Sequence, residues 1–208
     1  MKNIENLVRG YKESLSQDDK NHYRSLAEDG QSPKIMVVGC SDSRVNPDHI
    51  FNAAPGELFV VRNVANLVPP FELDEASHGT SAALEFAVKG LNIEHIVIMG
   101  HSYCGGVRAC CDGVKGIESS GMFVPKWTAI LNDCAKTVLS ENPDLDIDTL
   151  SHKVEQAAIK NSIENLKDFP FIVDGIKAGT LLIHGLYFDI KNAQLYGLDK
   201  QSGEFHAL

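Results

Sequence analysis

Apolar residues gather in short runs that stop at glycine or polar turns, and longer stretches between them carry apolar residues three and four apart. Runs at residues 35–39, 57–61 and 95–99 read as buried strands, because continuous apolar segments of this length bounded by turn residues fit a sheet covered on both faces. Helical spacing predicts two short helices within 1–28, a short one from Pro47 to about Asn52 capped by Asn46, and another over 74–89 stopped by Gly90. Further helices are expected at 107–111, 123–139 and 149–166, with polar loops at 113–121 and 140–148. Residues 181–190 and 193–198 read as two strands joined near Lys191-Asn192. Strands alternating with helices give an α/β domain with a central, mostly parallel sheet, an antiparallel C-terminal strand and flanking helices. The expected division is one domain over 1–208, with 1–28 a helical arm too thin in apolar surface to stand alone and 31–208 the α/β core.

Length and composition agree with one compact core: 208 residues, 43% of them hydrophobic. A net charge of -9 without a basic cluster excludes a nucleic-acid partner, since phosphate binding relies on Lys and Arg. No apolar run approaches the roughly 18–20 residues of a membrane span, and the first 15 residues alternate apolar and charged positions unlike a signal or transit peptide. The expected location is the cytosol. Five cysteines, an odd number, read as reduced thiols rather than a disulfide framework.

Two of those thiols sit where a strand breaks. Cys40 follows the first strand in Cys40-Ser-Asp-Ser-Arg44, and Cys104 lies three residues after His101 in Gly100-His-Ser-Tyr-Cys-Gly-Gly106. The carboxyl ends of the strands of an open α/β sheet form its binding crevice, so the topology brings both turns together. Cys, His and Cys are preferred zinc ligands, and three protein ligands leave a fourth tetrahedral position open, as catalytic sites do. Where a turn opens a helix, free amides of the first turn favour a thiolate at Cys104. Asp42 can close the fourth position, or Arg44 can hold its carboxylate off the metal and leave it to orient water. The remaining cysteines, Cys110, Cys111 and Cys134, read as buried thiols within helices, and His49, His78, His95, His152 and His184 as surface or satisfied core histidines. The spacing from Cys40 to Arg44, or from Cys104 to Arg108, is too short for the phosphate loop of a cysteine phosphatase, and Gly105-Gly106 is too short for a dinucleotide fingerprint.

The motifs Cys40-Ser-Asp-Ser-Arg44, Phe59-Val-Val-Arg-Asn-Val-Ala-Asn66 and Gly100-His-Ser-Tyr-Cys-Gly-Gly106, with His184-Gly-Leu-Tyr187 later, resemble those of the beta-class carbonic anhydrases in order and spacing. The resemblance covers roughly 31–198. It implies one zinc per chain on Cys40, His101 and Cys104, a gating pair Asp42–Arg44, and hydration of carbon dioxide to bicarbonate by zinc-bound hydroxide. It also implies a homodimer or a multiple of dimers, with the N-terminal helices wrapped over the partner. Gln31, Phe59, Phe86 and Gly105 are then substrate-pocket residues of the plant-type subtype, which usually carries tyrosine where this chain has Phe86. Val37 replaces the tryptophan with which the other subtype helps bind inhibitory bicarbonate, although Arg62 is present. The alternatives are hydrolysis of a carbon dioxide analogue such as carbon disulfide on the same fold, and a non-catalytic zinc protein with Asp42 permanently on the metal.

Overall fold

The computed structural model describes residues 3–117 and 121–208, so part of the expected loop at 113–121 lies outside the described residues. By compactness the chain divides into Met1–Ser32 and Pro33–Leu208, a boundary a few residues from the expected arm. In the first unit, α1 (Ile4–Ser14) is capped by Asn3 and α2 (Gln17–Asp29) opens with a capping box in which Ser16 and Asp19 bond each other's backbone amides. The apolar positions of α1, Ile4, Leu7, Val8 and Tyr11, are all exposed.

The second unit is built on a six-stranded sheet in the order β2-β1-β3-β4-β5-β6, with β1 Ile35–Cys40, β2 Leu58–Asn63, β3 His95–His101, β4 Leu182–Asp189, β5 Gln194–Leu198 and β6 Phe205–Ala207. The first four are parallel, with Ile35 opposite both Leu58 and His95, and His95 opposite Leu182. β5 runs antiparallel to β4 and β6 antiparallel to β5, so the expected closing strand is in fact a meander of two. Side-chain alternation explains the continuous apolar runs. Met36, Val38, Ile96 and Ile98 face one cluster with Leu84, Ile159, Phe169 and Ile172, whereas Val37, Val97 and Met99 face the other side of the sheet with Ile50, Phe51 and Leu186.

The short helix α3 (Pro47–Ile50) has its expected Asn46 cap. The helix expected at 74–89 is shorter: α4 spans Gly79–Glu85 and continues as a π turn, Phe86–Gly90. Its start is displaced because the Asp74 carboxylate accepts from the Ala76 amide at 2.8 Å and pairs with the His78 ring at 2.6 Å, which stabilises a local turn instead of a helix. In this π turn, closed by the Leu91 amide donating to Phe86 O at 3.0 Å, the ring of Phe86 lies 3.2 Å from where a Cβ on Gly90 would be. Beyond β3 come α5 (Gly105–Val114), then α6 (Val124–Thr128) joined by a 3₁₀ turn to α7 (Asn132–Glu141) where one helix was expected. The long α8 (Ile147–Leu166) begins two residues earlier than expected because Asp146 caps it through the amides of Asp148 and Thr149. An additional helix, α9 (Pro170–Lys177), starts with proline at its first position.

Gly106 fixes how α5 meets the turn at Val64–Asn66, where Ala65 and Asn66 both adopt left-handed φ, 66° and 49°. A Cβ on Gly106 would stand 2.6 Å from Val64 Cγ1 and 3.2 Å from the backbone nitrogen of Ala65, whereas one on Gly105 would meet nothing within 4 Å. Gly106→Ala should therefore cost about 1–3 kcal/mol by overpacking. Gly105→Ala, which removes only unfolded-state freedom, should be neutral or stabilise by about 0.4–1 kcal/mol. Urea unfolding of the two variants checks the contrast; equal stabilities would refute it.

Candidate metal centre

The ligands and the gating pair come from the carboxyl ends of β1 and β3 and the turns that follow them, with Arg62 supplied by the end of β2. The sheet's ladder runs past β1, with the Ser41 amide donating to Asn63 O at 2.9 Å. Arg62, from β2, donates through Nε to Cys40 O at 2.8 Å and through Nη2 to Asp42 O at 2.7 Å, so one guanidinium shapes the Cys40–Arg44 turn. Within that turn Arg44 grips Asp42 bidentately, Nε to Oδ1 at 2.9 Å and Nη2 to Oδ2 at 2.7 Å, while its own amide also donates to Oδ1. Those hydrogen bonds hold the Asp42 carboxyl well below the usual carboxylate range. Arg44 Nη2 reaches the Tyr103 carbonyl at 3.0 Å and so joins the two metal turns.

On the other turn, His101 ends β3 and Cys104 is the N-cap residue of α5, with the amides of Gly106 and Val107 favouring its thiolate. The sulfurs of Cys40 and Cys104 are 4.0 Å apart. That is about twice a disulfide bond length and close to the ~3.8 Å that two thiolates subtend at a tetrahedral zinc with bonds of about 2.3 Å. With one proton between them, the hydrogen bond from Cys104 pulls the Cys40 thiol down, and the same contact together with burial pushes Cys104 up.

The imidazole supplies the decisive fit. His101 Nδ1 lies 2.9 Å from the Ser102 carbonyl, which can only accept, so Nδ1 carries a hydrogen and, in the neutral ring that a metal would bind, Nε2 presents a bare lone pair. Nε2 is buried and has no hydrogen-bond partner among the described residues. An orphaned buried acceptor costs free energy unless something binds it. The ligand atoms of Cys40, His101 and Cys104 all lie within 4.8 Å of one another, and Asp42 is not part of that group. Soft donors at these separations suit zinc.

The remaining expected residues are distributed differently. Phe59 and Phe86 face each other with ring centroids 5.8 Å apart, and Phe86 is half exposed on its π turn. Gly105 follows Cys104 directly, with open space over its α-carbon. Gln31 belongs to the N-terminal unit, where it is exposed. Of the histidines read as structural, His95 and His184 bond each other at 3.1 Å, and His152 bonds Glu155 at 3.1 Å. Sequence reasoning passed over Glu155, although its position in α8 among the buried Leu150, Val154, Ala158 and Ile159 marks it as a carboxylate on an apolar stripe.

Fold and site together define an α/β metalloprotein with a three-ligand Cys-His-Cys centre at its strand ends. The carbonic anhydrase family profile matches residues 35–195, and the chain belongs to that family, in its beta class and of the plant type. It is 37% identical to beta carbonic anhydrase 5, chloroplastic, of Arabidopsis thaliana, over 86% of this chain and 58% of that protein. Beta carbonic anhydrase 6, mitochondrial, of the same plant is 38% identical over 79% of this chain and 56% of its own. The chain thus spans just over half the length of these relatives. Among solved structures it resembles the beta-carbonic anhydrase CcaA, with a TM-score of 0.87 at 28% identity over 97% of this chain and 96% of that one. It also resembles one of two tetrameric beta-carbonic anhydrases from Sordaria macrospora, with a TM-score of 0.73 at 31% identity over 93% and 92%.

The Asp42 shift carries a pH signature. Because Arg44 depresses the folded-state value, the stabilisation is complete above the unfolded carboxylate value of about 3.9 and disappears only as pH falls through the lower folded value. The Asp42 side-chain carbon should keep an unchanged chemical shift between pH 7 and 4 in a carboxyl NMR titration. A midpoint near 4 would show that the pair does not form in solution.

Proposed function

We propose that this protein catalyses reversible hydration of carbon dioxide, CO2 + H2O giving bicarbonate and a proton, with one zinc per chain held by Cys40, His101 and Cys104. The observation that carries this reading is that Asp42 stands outside the ligand group while Arg44 grips both its oxygens. Three ligands with the nearest carboxylate restrained leave one position for water. Zinc at such a site supplies a Lewis acid that makes water a nucleophile near neutral pH.

The chain's residues do the rest. The Asp42 carboxylate, with one lone pair left on Oδ2 beyond the Arg44 contacts, accepts a hydrogen bond from the attacking water and orients it. Arg62 and Arg44 keep the turn in that geometry from two directions. Phe59 and Phe86 pair at the amino end of β2, four residues from the end that carries the metal turns, so they would form an apolar wall for a small uncharged substrate in a neighbouring subunit's site across the proposed dimer, while Gly105 leaves open space beside Cys104. A phenyl ring at Phe86 preserves that wall without a hydroxyl. Two thiolates and a neutral imidazole cancel the metal's charge and acidify its water less than three neutral ligands would, so activity should rise as pH climbs through about 7 or above.

Stopped-flow carbon dioxide hydration on purified protein with its zinc measured is the direct test, and Arg44→Ala extends it. The variant should retain zinc but lose at least roughly 10- to 100-fold in turnover, because the released carboxylate takes the open position. X-ray absorption at the zinc edge reads that change. A zinc-loaded wild type without hydration activity would refute the function; wild-type turnover in Arg44→Ala would refute the latch.

The same reading extends to assembly as a homodimer or a multiple of dimers, supported by the exposed apolar stripe Ile4, Leu7, Val8 and Tyr11 on α1 and by the tetrameric description of the Sordaria macrospora proteins. Deleting residues 1–28 should lower the mass seen by light scattering. An unchanged oligomer would remove α1 from the interface.

A further inference from the structure

Behind the metal turns lies a buried carboxylate that the proposed reaction does not touch. Glu155, midway along α8, is 2% exposed. Its Oε1 accepts the Cys104 amide at 2.9 Å, and its Oε2 meets the Tyr187 hydroxyl at 2.9 Å and His152 Nδ1 at 3.1 Å. Burying a carboxylate is costly unless it is satisfied in this way. The amide is the telling partner.

The N–H of Cys104 and the C=O of Tyr103 belong to one peptide group, and in a trans peptide they point in opposite directions. The carbonyl end accepts from Arg44 Nη2 at 3.0 Å, the same nitrogen that holds Asp42 Oδ2 at 2.7 Å. Glu155 and Arg44 therefore grip the two ends of a single peptide plane. Tyr103 has φ of 58°, a left-handed conformation that costs a non-glycine residue free energy and persists only when its surroundings enforce it. The Tyr103 ring stands edge-on to His152 with centroids 4.9 Å apart, which ties the strained residue to the same cluster.

We propose that Glu155 is a positioning residue for the gate: by holding the Cys104 N–H it aims the Tyr103 carbonyl at Arg44 and thereby keeps Arg44 in the pose that restrains Asp42. This rests on the latch reading above and extends it from the two-residue pair to a three-part clamp running from α8 through one peptide to Asp42. Tyr187 and His152 fix the carboxylate's rotation, so that only Oε1 faces the turn. Without Glu155 the Tyr103–Cys104 peptide loses its anchor and is free to relax from the strained conformation, which withdraws the carbonyl from Arg44.

Two variants separate clamping from mere packing. Glu155→Gln keeps an acceptor for the Cys104 amide, with its NH2 facing Tyr187 and His152, each of which has a lone pair to offer. Glu155→Met has similar length and no acceptor. In crystals of the zinc-loaded proteins, Glu155→Met should show a rotated Tyr103–Cys104 peptide, a broken Arg44–Asp42 pair and Asp42 turned towards the metal, whereas Glu155→Gln should retain the wild-type arrangement. Hydration by Glu155→Met should fall roughly 10- to 100-fold with zinc content unchanged, and Glu155→Gln should recover most of it. An unmoved peptide and intact Arg44–Asp42 pair in Glu155→Met, or equal losses of activity and melting temperature in both variants, would overturn the proposal. If Glu155→Met does not fold, hydrogen exchange in the wild type decides: a Cys104 amide exchanging as fast as an open-loop amide would overturn it, and strong protection would support it. These structural readings hold whether or not the wild type hydrates carbon dioxide, so failure of the clamp and failure of the proposed activity are distinguishable.

Discussion

The parallel register between β1 and β3 is the constraint from which the metal centre follows. Gly39 is paired with Met99, so Cys40 and His101 emerge from adjacent strands at nearly the same height, and Cys104 returns to them within a single turn. A slip of one residue would reverse the faces of β1 and send Met36 and Val38 to the wrong side. The two apolar clusters on either face of the sheet forbid that slip, and packing energy thereby becomes positional precision for two sulfurs and one nitrogen.

Around that centre the polar contacts form successive supports. The Ser102 carbonyl sets the His101 tautomer, Arg62 sets the path of the first turn, Arg44 holds Asp42, and Glu155 carries the second turn from behind. Three different structural elements meet at the Tyr103–Cys104 peptide: the β1 turn through Arg44, α8 through Glu155 and, one bond removed, β4 through Tyr187. The sheet brings the ligands near; these hydrogen bonds determine which way they point.

Much of this was legible in the sequence because the informative signals are local. A strand that ends in Cys-x-Asp-x-Arg, or in His-x-x-Cys followed by glycines, announces its chemistry within five to seven residues, and Asp42 and Arg44 are close enough to be paired on paper. Features that depend on contacts across the chain were not legible in the same way. Glu155 acquires its role from a backbone amide 51 positions away, and β6 exists because Tyr196 finds Ala207 as a partner. The π turn that starts at Phe86, whose ring lies against the bare Gly90, is likewise something no helical periodicity records. α9 was readable in principle, since Pro170 opens it and Ile172 and Ile176 lie four apart, but its eight residues offer only two turns of pattern.

The separation of the two sulfurs has a redox consequence. At 4.0 Å, Cys40 and Cys104 would have to approach by about 2 Å to form a covalent bond. Neither is on a tether that yields easily: Cys40 is the last residue of a ladder-bonded strand, and Cys104 is anchored through its amide to a buried carboxylate. Closing that gap would fall first to rotation of the two cysteine side chains, with both backbone ends held in place. The arrangement that presents both sulfurs to one ion therefore also leaves them neighbours when no ion is held, so that protection of the pair from oxidation would come from the metal that occupies their lone pairs rather than from the fold alone.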